Sequence, residues 1–147
     1  MDDIDIKVGV RQDTNIDIKV VCPGIPPKGL RGNSRLHYMA KSSIAKEQRE
    51  LGAQAGLKAI AVNSGSMLFD ISLPIRPQSI SIIATCRRAI DGDNLLIGYK
   101  PFIDGLSDAG LITDDRHIKH WNIEIRAGEP QTEIHLKNYL FHSIGMG

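Results

Sequence analysis

The stretch RRAIDGDNLLIGYK, residues 87–100, places two carboxylates one residue apart among three cations. Residues 79–88, SISIIATCRR, which run into this stretch, are rich in β-branched side chains and predict a strand. The following residues 94–110 carry apolar side chains near the i, i+4, i+7 spacing of a helix. Asp91 and Asp93 are therefore expected where a strand passes into a helix, which is a usual position for functional residues.

The helix predicted over 94–110 has a stop signal and an interruption. Gly110 fits the glycine that commonly follows a helix C-terminus. Pro101 lacks a backbone N–H, and its ring clashes with the preceding turn. We therefore expect either a kink at Pro101 or a short first turn followed by a helix that begins near this residue.

The other segments predict an α+β fold: a mixed or antiparallel β-sheet with two main helices packed on one face. Pro and Gly content predicts a loop over 23–34, and apolar residues Ile44, Leu51, Ala55 and Ile60 predict a helix over about 42–61, with Ser43 as an approximate start signal. Alternating apolar and polar residues bounded by turn residues predict a strand at 67–75, a second that ends at Ile125, and a third at 132–138. The segment IDIKV occurs at Ile4–Val8 and Ile16–Val20 and predicts a hairpin, although the first copy could equally be a loose terminus.

Composition predicts one globular domain over 1–147, with 1–12 and 138–147 as candidate loose termini. Hydrophobic residues are 41% and charged residues 24%, as in soluble proteins. The acidic start lacks the basic region of a signal peptide, and no apolar run could span a bilayer. We therefore expect a cytoplasmic protein with no membrane partner. Cys22 and Cys86 are expected to be small apolar fillers in strands.

Positive charge surrounds the carboxylates, although the net charge is only +1. The flanking residues are Lys28, Arg31, Arg35, His37, Lys41, Lys46 and Arg49 upstream, Arg87 and Arg88 before the first acidic pair, and Arg116, His117, Lys119 and His120 after the second. A site that binds a polyanion and a cation together has this pattern, and so does a solvated surface. The same two alternatives apply to the outward side chains of the first helix, Lys46, Arg49 and Lys58.

Five aspartates and one lysine form the candidate site: Asp91, Asp93, Asp104, Asp114, Asp115 and Lys100. On a straight helix Lys100 would lie about 20° from the face of Asp93, because seven residues separate them. Converging carboxylates repel one another unless a cation joins them, and all-oxygen ligation suits Mg²⁺ or Mn²⁺ rather than Zn²⁺. Such a cation can activate water and neutralise charge on a phosphodiester, while a lysine can hold a phosphate oxygen.

Structural roles explain the same residues. Asp91 can cap a helix, because Asp is favoured at the N-cap and its charge suits the positive end of the dipole. Asp114 and Asp115 can be turn residues. An EF-hand loop is excluded, because Leu95 occupies the fifth position and the glycine at the sixth is missing. A phosphatase of the haloacid dehalogenase type is disfavoured, because the acidic pair is at mid-chain and no threonine follows it.

The stretch RRAIDGDNLLIGYKPFIDGLSDAGLITDDRHI, residues 87–118, resembles the core of the RusA family of Holliday-junction resolvases, which is common in phages and prophages. The family pattern is D-x-D-N-L, a lysine, D-[AG]-L, a small residue before a glycine, and D-D after a hydrophobic turn. The counterparts here are Asp91-Gly92-Asp93-Asn94-Leu95, Lys100, Asp104-Gly105-Leu106, Asp108-Ala109-Gly110 and Asp114-Asp115. The upstream PPKGLRGNSRLHYMAK resembles the Pro-rich, Asn-containing segment of phage members more weakly.

The resemblance implies a RusA-like fold and a Mg²⁺-dependent endodeoxyribonuclease, with Mn²⁺ as a substitute. Asp91, Asp93 and Asp115 match the three catalytic, metal-binding aspartates, and Lys100 matches the catalytic lysine. We prefer Asp115 to Asp114 as the third aspartate. The chain departs from the shortest family version by extra residues before Lys100, so the direction of this side chain decides whether it keeps its role.

The family also implies a symmetric homodimer acting on branched DNA. A C₂ dimer offers two identical sites, as the paired cuts that resolve a four-way junction require. The expected phosphate contacts are Lys28, Arg31, Arg35, Arg87 and Arg88. His37, His117 and His120 lack a metal-ligand spacing and are expected to face DNA or to be structural.

Three functions follow as hypotheses. The first is the Mg²⁺-dependent resolvase of DNA recombination and repair. The second is a non-catalytic protein of the same fold that binds junction DNA, against which the intact Asp91, Asp93, Lys100 and Asp115 argue. The third is a metal-dependent enzyme acting on another phosphoester.

Overall fold

Strands and helices alternate along the chain in an α+β order. A computed structural model describes residues 17–32, 34–63 and 73–137. The strands are β1 (Asp17–Pro23), β2 (Ser79–Cys86), β3 (His120–Ala127) and β4 (Gln131–Lys137). The helices are α1 (Tyr38–Asn63), α2 (Gly92–Gly98) and α3 (Lys100–Asp108), and short 3₁₀ turns cover Lys28–Leu30 and Asp115–His117.

The predicted elements are confirmed in kind among the described residues, except that residues 73–75 of the strand predicted at 67–75 form a bend and an isolated bridge from Ile75 to Ile112. Residues 17–20 of the second IDIKV copy lie in β1, and the loop predicted over 23–34 contains the first 3₁₀ turn. Other predictions fall outside the described residues: the first IDIKV copy and hence the hairpin, the strand at 67–75 as far as residue 72, and the termini 1–12 and 138–147.

The four described strands form a mixed sheet in the order β1-β4-β2-β3, which confirms the predicted sheet class. Strand β4 is antiparallel to both β1 and β2, whereas β2 is parallel to β3. The three-residue turn after β3 does not join two paired strands. It crosses the end of β2, where the N–H of Gly128 donates to the carbonyl of Cys86, and β4 then runs back on the far side of β2.

The hydrophobic core lies between one face of the sheet and the helices. Register places the buried side chains of β1, β4 and β2 on the same face, because Ile18 and Ile80 both oppose Leu136, and Ile82 opposes Ile134. The helices and the segment that follows them cover this face with the buried side chains of Leu95, Tyr99, Phe102, Ile103, Leu106, Leu111 and Ile112. The two cysteines lie in β1 and β2 with free thiols, as predicted.

Helix α1 contacts α3 through small residues. A Cβ atom on Gly52 would lie 2.1 Å from the carbonyl oxygen of Phe102, and a Cβ on Gly105 would lie 2.1 Å from that of Arg49. These distances leave no room for a side chain, so the two backbones touch. The predicted apolar stripe of α1 is wrong at Leu51, which is 45% exposed, because the buried face carries glycine instead.

The predicted interruption of the second helix is confirmed as a break at Tyr99 between α2 and α3. Pro101 lies in the first turn of α3, where its missing N–H costs no helical hydrogen bond. Gly110, at φ 85°, ends α3 as predicted, and the N–H of Leu111 donates to the carbonyl of Leu106 in a Schellman arrangement. Helix α1 begins four residues before the predicted start, at Tyr38.

No helix among the described residues has the length and apolar character needed to cross a bilayer.

Replacing Gly105 with alanine tests the close approach of α1 and α3. Overpacking costs about 3 kcal/mol and the better helix propensity of alanine returns about 1 kcal/mol, so we expect the free energy of unfolding to fall by about 2 kcal/mol. Urea denaturation followed by circular dichroism measures this change. Gln54→Ala, on an exposed position of α1, is the control, and an unchanged midpoint for Gly105→Ala would contradict the backbone contact.

Candidate functional site

The first acidic pair stands at the N-terminus of α2. Asp91 is the N-cap, and its Oδ1 accepts a hydrogen bond of 3.1 Å from the backbone N–H of Asp93. Its Oδ2 accepts one of 3.4 Å from the side-chain amide of Asn94. The capping role considered from the sequence is therefore present at Asp91. The exposed Asp93 carboxylate makes no hydrogen bond or ion pair with another described residue, so it is free to bind a ligand.

Helix α2 begins above the edge strand β3. A Cβ atom on Gly92 would lie 3.3 Å from Cγ2 of Ile123, in the middle of that strand. Asp115 belongs to the 3₁₀ turn that leads into the same strand. Both acidic groups are therefore close to β3: the first lies next to its middle and the second precedes its start.

Lys100 forms ion pairs with Asp115, in the second acidic group, and with Asp104. Its Nζ lies 2.6 Å from Oδ2 of Asp115 and 2.9 Å from Oδ1 of Asp104. The Asp115 side chain is only 13% exposed, so the lysine neutralises a largely buried carboxylate. The extra residues before Lys100 form part of α2 and the break at Tyr99, and they do not turn the lysine away from Asp115.

The ammonium form of Lys100 is stabilised. Partial burial alone would lower its pKa, but the hydrogen bonds that the ammonium donates to Asp115 and Asp104, with the negative charges of these carboxylates, outweigh burial and raise the pKa above 10.5. Lys100 is therefore a cation at neutral pH. It can donate hydrogen bonds to an anion and cannot accept a proton.

Asp114 and Asp115 have different surroundings. Asp114 is the N-cap of its 3₁₀ turn and accepts hydrogen bonds from the backbone and the guanidinium of Arg116, at 2.8 and 2.7 Å. Asp115 faces Lys100 instead. The preference for Asp115 as the residue of the candidate site is consistent with this geometry.

The three aspartates expected to bind a metal are not gathered in one group. Within residues 17–32, 34–63 and 73–137, no set of three or more His, Cys, Asp or Glu side chains is arranged to hold a metal ion. The donor chemistry nevertheless fits Mg²⁺, since Asp91, Asp93 and Asp115 supply carboxylate oxygens only. A shared ion would replace Lys100 as the charge partner of Asp115.

The cationic loop predicted to contact DNA packs against α2. The N–H of Gly32 donates a 3.0 Å hydrogen bond to the carbonyl of Asn94, and a Cβ on Gly98 would lie 2.8 Å from Cβ of Pro26. This contact places the segment that carries Lys28, Arg31 and Arg35 beside the helix that begins at Asp91. Arg31 is anchored by its Nε, which donates to the carbonyl of Pro26 at 3.2 Å.

The other two predicted DNA contacts differ from each other. Arg87 and Arg88 are both exposed after β2. The Nη2 of Arg87 lies 2.5 Å from Oε2 of Glu129, because the turn from β3 to β4 crosses the end of β2 at this point. The guanidinium of Arg88 makes no ion pair or hydrogen bond with another described residue. Its charge is therefore the more available of the two.

Part of the family-like motif has packing roles. Gly105 permits the approach of α1, and Asp108 forms a salt bridge of 2.6 Å with Arg49. That contact lowers the pKa of Asp108, chiefly through the hydrogen bond from the guanidinium. Ala109 lies against Gly56, where an added Cβ would be 2.8 Å away. Only Asp91, Asp93, Lys100, Asp104 and Asp115 are left with a chemistry that packing does not explain.

The histidines of the described ranges form no metal-binding group. Nδ1 of His37 accepts a hydrogen bond from the N–H of Met39, and His120 begins β3. The side chain of His117 lies outside the described residues. Sequence reasoning overlooked Tyr38, an exposed aromatic ring beside His37, although an aromatic residue within a basic segment was a usable signal.

Comparisons with known proteins identify a relative but no family. No family model matches the chain. A protein of Xylella fastidiosa (strain Temecula1), described as an uncharacterized protein, is 34% identical over 102 residues, or 67% of this chain. The aligned part spans 62% of the length of that relative. Its description names no activity, so the resemblance to the RusA family rests on the motif.

A double-mutant cycle of Lys100→Met and Asp115→Asn measures the central ion pair. We expect a coupling free energy of about 1 kcal/mol, because one partner is half exposed and the other largely buried. The raised pKa of Lys100 means that its contribution is complete below 10.5 and is lost only as the pH rises through the folded-state value. Urea denaturation should therefore give the same coupling at neutral pH and at about pH 9, and a coupling near zero would contradict the contact.

Proposed function

We propose that this protein is a Mg²⁺-dependent endodeoxyribonuclease that resolves Holliday junctions as a homodimer. The observation that carries the proposal is the hydrogen bond from Gly32 to the carbonyl of Asn94. It joins the cationic loop to the helix that starts with Asp91 and Asp93. A polyanion held by this loop would thus lie beside carboxylates that can bind a cation.

The aspartates would provide the metal ligands. Asp91, Asp93 and Asp115 would hold Mg²⁺, which supplies charge neutralisation at a phosphodiester and a more acidic water when it is bound. Asp93 is the most accessible of the three, since its carboxylate makes no hydrogen bond or ion pair with the rest of the described chain. Asp91 would combine metal binding with helix capping.

Lys100 would assist by charge. Because it stays protonated at neutral pH, it would donate a hydrogen bond to a phosphate oxygen and stabilise the charge that develops there. Asp104, one helical turn further along α3, holds the ammonium at 2.9 Å and would keep it in place when Asp115 turns to the metal.

A homodimer suits the substrate. Resolution of a four-way junction needs two cuts related by a two-fold axis, and two copies of this chain would supply two such sites. The cations expected to contact phosphates would position the DNA without reading its sequence. They are Lys28, Arg31, Arg35, Arg87 and Arg88.

A non-catalytic protein that binds junction DNA is the second candidate. The ion pair between Lys100 and Asp115 favours it, since this pair neutralises Asp115 without a metal. The carboxylates are likewise not gathered into one metal-binding group among the described residues. The cationic loop would serve either function equally.

Replacement of Asp93 by asparagine separates the two candidates. We expect the rate of junction cleavage to fall by at least about 100-fold while junction binding stays unchanged, because the substitution removes one metal ligand without disturbing the cap. The assay uses a labelled synthetic four-way junction and a linear duplex, with Mg²⁺ or EDTA. Paired symmetric nicks on the junction alone would support the resolvase.

Asp108→Asn is the matched control, because Asp108 belongs to the same motif but pairs with Arg49 at the surface. We expect its cleavage rate to stay within about twofold of the wild type. Full cutting by Asp93→Asn would contradict the site assignment. Tight binding by the wild type with no cutting in any metal would establish the non-catalytic alternative.

Arg88→Gln and Arg87→Gln test the cationic surface beside β2. Removal of one cation that binds a phosphate should reduce the slope of log K against log salt by about 0.9. We expect this reduction for Arg88→Gln and a smaller one for Arg87→Gln, because Glu129 already neutralises Arg87. Fluorescence anisotropy on junction DNA over a range of salt measures both slopes. Equal reductions would show that Arg87 leaves Glu129 when DNA binds.

A further inference from the structure

An exposed aromatic ring stands at the start of α1. Tyr38 is 74% exposed, and the His37 ring lies 4.7 Å from it, centroid to centroid, with 33° between the planes. The preceding residue, Leu36, lines a groove of about 530 Å³ between the 3₁₀ turn at Lys28–Leu30 and α1. Lys28 and Arg35 also line this groove, so cations and apolar side chains share it.

The surroundings of this ring carry one sign of charge. Residues 28–46 contain five Lys and Arg residues and no Asp or Glu, and the first acidic residue after them is Glu47. The side chains of Lys28 and Arg35 make no ion pair with another described residue. An aromatic face beside unpaired cations is the combination that single-stranded nucleic acids bind, because bases stack on the ring and phosphates meet the cations.

We propose that Tyr38 and His37 form a stacking platform for an unpaired DNA base, with Lys28 and Arg35 holding the adjoining phosphates. The inference rests on the proposed function in taking DNA as the polyanion. It adds a specific substrate feature: the platform needs an unstacked base. A continuous duplex hides its bases, whereas a branch point can expose them.

The platform is connected to the acidic residues through one side-chain contact and one backbone hydrogen bond. A Cβ on Gly29 would lie 2.7 Å from Cδ2 of Leu36, so the 3₁₀ turn touches the segment that leads into α1. Three residues later Gly32 donates to Asn94 of α2. A base on Tyr38 would therefore fix the position of the DNA relative to Asp93, through two rigid contacts.

Binding to single-stranded DNA tests the platform without any cleavage. The probes are a fluorescein-labelled oligothymidine and a blunt duplex, and the full-length chain is titrated into each in EDTA. The variants are Tyr38→Leu, which removes the ring, and Tyr38→Phe, which keeps it. Val62→Ala is the control, because Val62 is 72% exposed at the opposite end of α1.

We expect Tyr38→Leu to weaken oligothymidine binding about tenfold, and Tyr38→Phe to stay within about twofold of the wild type. Duplex binding and the Val62→Ala variant should change by less than about twofold. Equal losses on single strand and duplex would overturn the proposal, and so would no loss on either. Failure of the wild type to bind oligothymidine would also overturn it.

Two further results separate this inference from its premises. Sedimentation velocity should show the same oligomeric state for Tyr38→Leu and the wild type, and a change would assign Tyr38 to a protein interface and overturn the platform. If the wild type cuts no junction but binds oligothymidine through Tyr38, the proposed nuclease fails while the platform stands. If junctions are cut and the Tyr38 variants bind oligothymidine normally, the platform fails while the proposed nuclease stands.

Discussion

The contact between α1 and α3 is the constraint on which the positions of the functional groups depend. Gly52 and Gly105 allow two helix backbones to touch, and this fixes α1 across the helical layer with little apolar burial of its own. The start of α1 then meets the loop before it, which lies on α2. The cationic loop and the acidic helix are held together by backbone geometry rather than by attraction between their charges.

Ion pairs hold the charged side chains next to the start of β3. Lys100 lies between Asp104 and Asp115, so a largely buried carboxylate is neutralised by a lysine that remains half exposed. Such an exposed cation can exchange partners at low cost. The ammonium of Lys100 can therefore leave one carboxylate for another anion.

Local signals in the sequence were sufficient for the elements and insufficient for their arrangement. Gly110 ended its helix as expected, and Pro101 marked the start of α3, because both act within one turn of chain. The predicted apolar face of α1 was right at Ala55 and Ile60, which pack against the core, and wrong at Leu51, since a hydrophobic pattern does not reveal a contact made through glycine. The place of β4 was also missed, because strand order depends on long-range pairing that a three-residue turn does not encode.

The candidate site likewise depends on contacts between residues that are distant in the sequence. No ion pair of Lys100 was predicted: the pair with Asp104, one helical turn away, is local, whereas the contact with Asp115 depends on the fold. The partner of Arg87 could not be foreseen, because Glu129 reaches it only through the turn across β2. Asp108 belonged to the recognised motif, yet its salt bridge serves packing.

The central position of β4 has a consequence for assembly of the sheet. Among the described strands β1 pairs only with β4, and β4 is the last of the four in the chain. The first of the described strands to be synthesised thus finds no described partner until the last of them has been added between it and β2. Pairing over more than a hundred residues makes closure slow and cooperative, so the sheet forms late and as a unit. In a nascent chain that stops before β4, β1 has no described neighbour. The helices then lack two of the four described strands against which they pack.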